Sequence, residues 1–156
     1  MTDPKRILLV EDSTKDVDLT LEALEEHKLA NQVMVVRDGA DALDYLFRRG
    51  QFADQADDLP MLVLLDLKMP KVDGLEVLRQ MKADPVLKRI PVVMMTSSRE
   101  QSDLIRSYEL GVNSYVVKPV KFQGFIEAVK QLGVYWVLVN EPPPVAPSGP
   151  KTAPSA

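Results

Sequence analysis

The sequence predicts a doubly wound α/β domain, (βα)₅, built on one five-stranded parallel sheet. Three observations lead there. Five short apolar runs punctuate the chain: RILLV (6–10), VMVV (33–36), MLVLL (61–65), PVVMM (91–95) and SYVVK (114–118). Four of them are near-continuous and β-branched-rich rather than alternating, which suits strands covered on both faces. Between the runs, apolar residues recur at helical spacing.

The elements follow in order. The first run ends in Glu11, Asp12 and Ser13, and Val17, Leu21 and Leu24 then fall on one helix face. After the second run come Gly39 and a helix marked by Leu43, Leu46 and Phe47. The third run ends in Asp66 and the segment LKMPKVDG, and Leu75, Leu78 and Met81 mark the third helix. The fourth ends in Thr96, Ser97 and Ser98, ahead of Leu104, Ile105 and Tyr108. The fifth ends in Lys118 and Pro119, ahead of Phe122, Phe125, Ile126, Val129 and Leu132. Gly39, Gly74, Gly111 and Pro119 stand at the junctions, as turn-formers do. Residues 50–59, GQFADQADDL, have no apolar period and read as a loop. Residues 1–139 form one domain with an extended closing segment. Residues 140–156 hold six of the twelve prolines and read as a disordered tail.

Composition narrows the chemistry. The 156 residues fit one domain, and 46% are apolar, enough for a full core. With no cysteine, disulfides, thiolate metal sites and cysteine catalysis are excluded. The single histidine, His27, lies in the polar stretch EALEEHKL and cannot build a multi-histidine metal site. A net charge of −4 gives no general reason to expect direct nucleic-acid binding. No apolar run is long enough to span a membrane, and the opening residues lack a signal-peptide pattern. The expected location is the cytoplasm, with no membrane association.

In open α/β sheets the functional crevice lies beyond the carboxyl ends of the strands. The common flavodoxin-like order, 2-1-3-4-5, would make strands one and three neighbours and bring Asp12, Asp66 and Glu11 into one cleft. Two carboxylates at ~4 Å repel by about 4 kcal/mol at an effective dielectric near 20, so protons or a cation must relieve them. Oxygen-only ligands suit Mg²⁺ or Mn²⁺. Lys118 and Thr96 would complete a phosphoryl site, with Asp66 as its nucleophile. Each signal alone has a plainer reading. Glu11–Ser13 would cap a helix, Asp66 would start a turn, Thr96–Ser98 would be another N-cap, and Lys118 would be solvated. Their joint placement after strands one, three, four and five favours the phosphoryl site.

The chain resembles the receiver domains of two-component response regulators. ILLVEDS (7–13), VLLDLKMPKVDGLEVL (63–78), VVMMTSS (92–98) and GVNSYVVKP (111–119) carry the resemblance, in the family's order and across nearly all of residues 5–132. It implies the flavodoxin-like receiver fold. It also implies Mg²⁺ held by Glu11, Asp12, Asp66 and the backbone carbonyl of Lys68, with phosphorylation of Asp66 by a sensor histidine kinase or phosphotransfer protein. Thr96 and Lys118 would contact the phosphoryl group, Tyr115 would be the switch aromatic, and the bond before Pro119 would be cis. The switched surface would be the face of the fourth helix, fifth strand and fifth helix. Such a protein is a phosphoacceptor, not an enzyme beyond its own phosphorylation and dephosphorylation. The 50–59 loop and the ending QLGVYWVLVNEPPP resemble the single-domain response regulators that partner bacterial phytochromes, so the expected kinase is a bacteriophytochrome. The alternative output is a phosphate sink or shuttle in a phosphorelay. The side chain of Lys68 leaves the phosphoryl lifetime open.

VYWVLV (134–139) holds more apolar residues than one helix face can bury. It either folds back on its own domain or joins two copies. The expectation is a two-fold homodimer with Tyr135, Trp136 and Leu138 at its rim. Two other classes fit less well. A flavin carrier needs a Ser/Thr/Gly-rich phosphate loop after strand one, where EDSTKD places carboxylates. An aspartate-nucleophile phosphatase places its nucleophile in a DxDxT pattern after the first strand, whereas here DSTKD begins at position 12.

Overall fold

The computed structural model describes residues 5–25, 28–55, 59–67, 69, 71–96, 108–109, 111–118 and 120–132. Five parallel strands form one sheet in the order 2-1-3-4-5: β1 (Ile7–Val10), β2 (Val33–Val36), β3 (Leu62–Asp66), β4 (Val92–Thr96) and β5 (Ser114–Val117). Helices α1 (Thr14–Leu24), α2 (Gly39–Leu46) and α3 (Gly74–Ala83) follow the first three strands, and a final described helix spans Phe122–Leu132. Of the fourth predicted helix, only Tyr108 and Glu109 are described, and both are helical.

The continuous apolar runs have the cause their composition suggested. Every residue of the central strands β1 and β3 is buried, whereas the edge strand β5 is half-buried throughout. Alternation along β1 divides the core into two layers. Leu8 and Val10 pack with Leu43 and Leu46 of α2 and with Val77, Leu78 and Met81 of α3. Ile7 and Leu9 pack with Val17 and Leu24 of α1 and with Phe125 and Ile126 of the final helix. Burying one such side chain stabilises the fold by about 1.5–3 kcal/mol, so each helix is held by its apolar stripe rather than by propensity.

Three of these helices start at a side-chain cap. Ser13 Oγ accepts from the Asp16 amide at 3.2 Å, Asp38 Oδ1 from the Asp41 amide at 2.8 Å, and Asp73 Oδ1 from the Glu76 amide at 3.0 Å. Each such cap contributes about 1 kcal/mol. Ser13 therefore does serve the plain capping role open to it in the sequence.

Residues 50–59 are more ordered in part than a loop reading implies. Gly50–Phe52 form a turn of 3₁₀-helix, and the Phe52 ring meets the buried Tyr45 ring edge-on at 5.1 Å. One aromatic anchor suffices to dock a segment without any apolar period. Among the described residues, no helix is long and apolar enough to cross a membrane. His27, Tyr135, Trp136, Leu138 and residues 140–156 lie outside the described residues.

Candidate functional site

The sheet register assembles the site. Val10 pairs with Leu65, so the next residues, Glu11 and Asp66, come abreast at the carboxyl edge of β1 and β3. Thr96 pairs with Val117, which puts Lys118 just past the end of β5. Strand parity directs Asp66 toward α1, because Leu62 and Leu64 face that layer and Asp66 is the next residue in phase.

Both acids are buried, with Glu11 0% and Asp66 4% exposed, so neither carboxylate is solvated. Buried carboxylates need partners, and Lys118 supplies one. Its Nζ lies 2.7 Å from Glu11 Oε1 and 3.1 Å from Asp66 Oδ1. The Lys118 side chain is 14% exposed, so its ammonium is largely withdrawn from solvent. Glu11 Oε2 accepts from the Ser13 amide at 3.1 Å. Glu11 Oε1 has the ion pair but no well-directed hydrogen bond.

Burial pushes the Asp66 carboxyl up to about 7, the Glu11 charge adds to it, and Lys118 opposes both. Burial also works against the Lys118 charge. Its contacts with Glu11, Asp66 and Asp16 outweigh that cost and hold the ammonium above the ordinary lysine range. The local charge is incompletely neutralised. Glu11, Asp12 and Asp66 can present carboxylate oxygens within 4.8 Å of one another, with Asp12 on the exposed side. An all-oxygen set with an under-satisfied buried oxygen fits a hard divalent cation.

Two glycines brace the loop after Asp66. A Cβ on Gly74 would lie 2.3 Å from the backbone oxygen of Asp66, and one on Gly39 would lie 2.0 Å from that of Val72. Only a residue without a side chain lets α3 start so close to the strand end, and the Gly74 amide closes the loop onto Leu67 O at 2.9 Å. Lys71, at φ 67°, turns the loop through the left-handed region, and its Nζ lies 3.5 Å from Asp38 Oδ2 at the α2 cap.

Tyr115 is half-buried in β5, and its ring meets the Tyr108 ring edge-on at 6.2 Å. Glu11, Asp12, Asp66 and Lys118 are thus brought together, and the Thr96 backbone reaches the same sheet edge. The Thr96 side chain, Lys68 and Pro119 lie outside the described residues. Sequence reasoning missed one partner. Asp16, in the first turn of α1, places Oδ2 at 3.1 Å from Lys118 Nζ. Its signal was available, since an acid in the first turn after strand one lies beside the crevice.

Comparison with known proteins identifies the family and the fold. The response regulator receiver domain matches residues 7–130. The chain is 41% identical over 134 residues to response regulator Rcp1 of Synechocystis sp., covering 86% of this chain and 90% of that protein. It is similar to the solved bacteriophytochrome response regulator RtBRR, at 58% identity and TM-score 0.78, covering 92% of this chain and 86% of that one. A crystal structure of the Mn²⁺-bound form of Rcp1 aligns at 40% identity and TM-score 0.70, covering 87% and 95%. The buried Asp66, its lysine and the 2-1-3-4-5 sheet thus sit in a chain that belongs to the response regulator receiver domain family.

Proposed function

We propose that this chain is a phosphoacceptor that takes a phosphoryl group from a sensor histidine kinase onto Asp66. The observation that carries the reading is the buried Asp66 carboxylate at 3.1 Å from Lys118, inside a group of acids able to hold a cation. An Asp66 oxygen attacks the phosphorus of a phosphohistidine. The P–N bond breaks, and its electron pair returns to the imidazole. Hydrolysis later reverses the modification: water attacks phosphorus, the P–O bond to Asp66 breaks, and carboxylate and inorganic phosphate are left.

Glu11, Asp12, Asp66 and the backbone carbonyl of Lys68 would hold Mg²⁺, with Mn²⁺ as the other candidate. A bound divalent cation supplies positive charge against the phosphoryl oxygens. Lys118 orients one Asp66 oxygen and offsets charge on the incoming group. Thr96 would donate a hydrogen bond to the phosphoryl group, and Tyr115 would follow it inward. A phosphoryl group can recruit such a conformer only by binding it better than the resting one. The output is then a changed surface around β5, read by another protein.

The partner kinase is a bacteriophytochrome on this reading, which the similarity to the bacteriophytochrome response regulator RtBRR supports. Incubation with acetyl phosphate and Mg²⁺ should add a phosphoryl mass to the wild type and none to Asp66→Asn. Labelling that persists in Asp66→Asn refutes the acceptor assignment. Phosphotransfer profiling against the host's histidine kinases tests the pairing, and transfer from a kinase of another sensory class alone would remove it.

A further inference from the structure

We propose that Asp16 is a latch on Lys118, a positioning residue that holds the ammonium in the resting state and gives it up to the phosphoryl group. This rests on the reading of Asp66 as acceptor. An ammonium has three N–H donors. Here three carboxylate oxygens surround it: Glu11 Oε1 at 2.7 Å, Asp66 Oδ1 at 3.1 Å and Asp16 Oδ2 at 3.1 Å. The contacts to Glu11 and Asp66 are at ion-pair distance, and the one to Asp16 is a directed hydrogen bond, so the ammonium already has carboxylate partners before any phosphoryl group arrives. A phosphoryl group brings strong acceptor oxygens and a charge of about −1.5 to −2, so it competes with these carboxylates for Lys118, and the directed bond to Asp16 is the one that must break for the ammonium to turn toward it.

Exposure identifies which one. The side chains of Glu11 and Asp66 are 1% and 6% exposed, whereas that of Asp16 is 30% exposed. Releasing Glu11 or Asp66 would leave a buried carboxylate to the cation alone. Releasing Asp16 returns its carboxylate to water. Asp16 is also free to move without unwinding α1, because the cap bond from Ser13 engages its backbone amide and not its carboxylate. The latch therefore biases Lys118 toward the resting arrangement, and its strength subtracts from the affinity for a phosphoryl group.

The test measures beryllofluoride, a phosphoryl mimic, by ¹⁹F NMR titration of the full chain at saturating Mg²⁺. Asp16→Asn removes the charge and keeps the amide and the side-chain shape. It should bind beryllofluoride about three- to tenfold more tightly than the wild type, while Asp16→Glu stays near wild type. Asp18→Asn, an exposed charge removal on the same helix, should leave affinity unchanged. Unchanged or weaker binding by Asp16→Asn overturns the latch. So does an equal gain in Asp16→Glu or in Asp18→Asn, which would mark a shape effect or a bulk-charge effect. If the wild type binds no beryllofluoride, the acceptor reading falls first and the latch with it. Binding lost only in Asp66→Asn keeps that reading intact whatever Asp16 does.

Discussion

Gly74 lies against the backbone of Asp66 so closely that a Cβ there would sit 2.3 Å from the Asp66 carbonyl oxygen. The contact joins the start of α3 to the last residue of β3. Because that oxygen is backbone, it cannot swing aside. Gly74→Ala should cost about 1–3 kcal/mol, as overpacking does, and should slow phosphoryl uptake by displacing Asp66. Gly39→Ala should lose similar stability through Val72. Urea unfolding with matched acetyl phosphate labelling checks both, and a Gly74→Ala protein with wild-type stability would show that α3 shifts freely.

Asp66 should make cation-free stability depend on pH. Its carboxyl titrates near 3.8 when unfolded and at about 7 in the fold. Between those values the folded state holds a proton that the unfolded state has lost, so stability falls as pH rises through this window. Asp66→Asn removes the effect. In EDTA it should be more stable than the wild type by about 1–4 kcal/mol at pH 8, with the difference gone near pH 4. Denaturation midpoints at the two pH values measure it.

For stability, Lys118 should matter most while no cation is present. Lys118→Met leaves Glu11 and Asp66 buried without their shared counter-charge and should destabilise the cation-free protein by about 3–5 kcal/mol at pH 8. The loss should shrink at pH 5, where one carboxyl takes up a proton. Saturating Mg²⁺ should restore most of it, since a ligand that binds only the folded state stabilises that state by mass action. Thermal melts with and without Mg²⁺ decide this.

The edge-on contact between Tyr108 and Tyr115 predicts that the two rings respond together. With 3-fluorotyrosine incorporated, both ¹⁹F signals should shift when beryllofluoride binds, and Tyr108→Ala should move the resting signal of Tyr115. A Tyr108 signal indifferent to beryllofluoride would confine the switch to Tyr115.

The apolar run 134–139 predicts self-association. Truncation after Leu132 should lower the oligomeric mass measured by light scattering, and an unchanged mass would overturn the expected homodimer through Tyr135, Trp136 and Leu138.

The sequence by itself determined the strands, the helix faces and the edge of the sheet where the chemistry gathers. Burial on both faces writes a continuous apolar run into β1 and β3, and helical spacing writes a stripe into α1, α2 and α3. Both are local patterns, readable without coordinates. Local too is the placement of Glu11, Asp66 and Lys118 just where apolar runs stop. The strand order was not local, because any order of five parallel strands is compatible with the same runs. Only the folded sheet set Val10 beside Leu65, and so Glu11 beside Asp66. Tertiary structure alone also decided that Asp16 reaches Lys118, 102 residues further on. The same holds for Gly39 and Gly74, whose missing side chains matter because another element's backbone fills the space. Spacing along the chain encodes which face a residue takes, but the distance between faces exists only once the layers have packed.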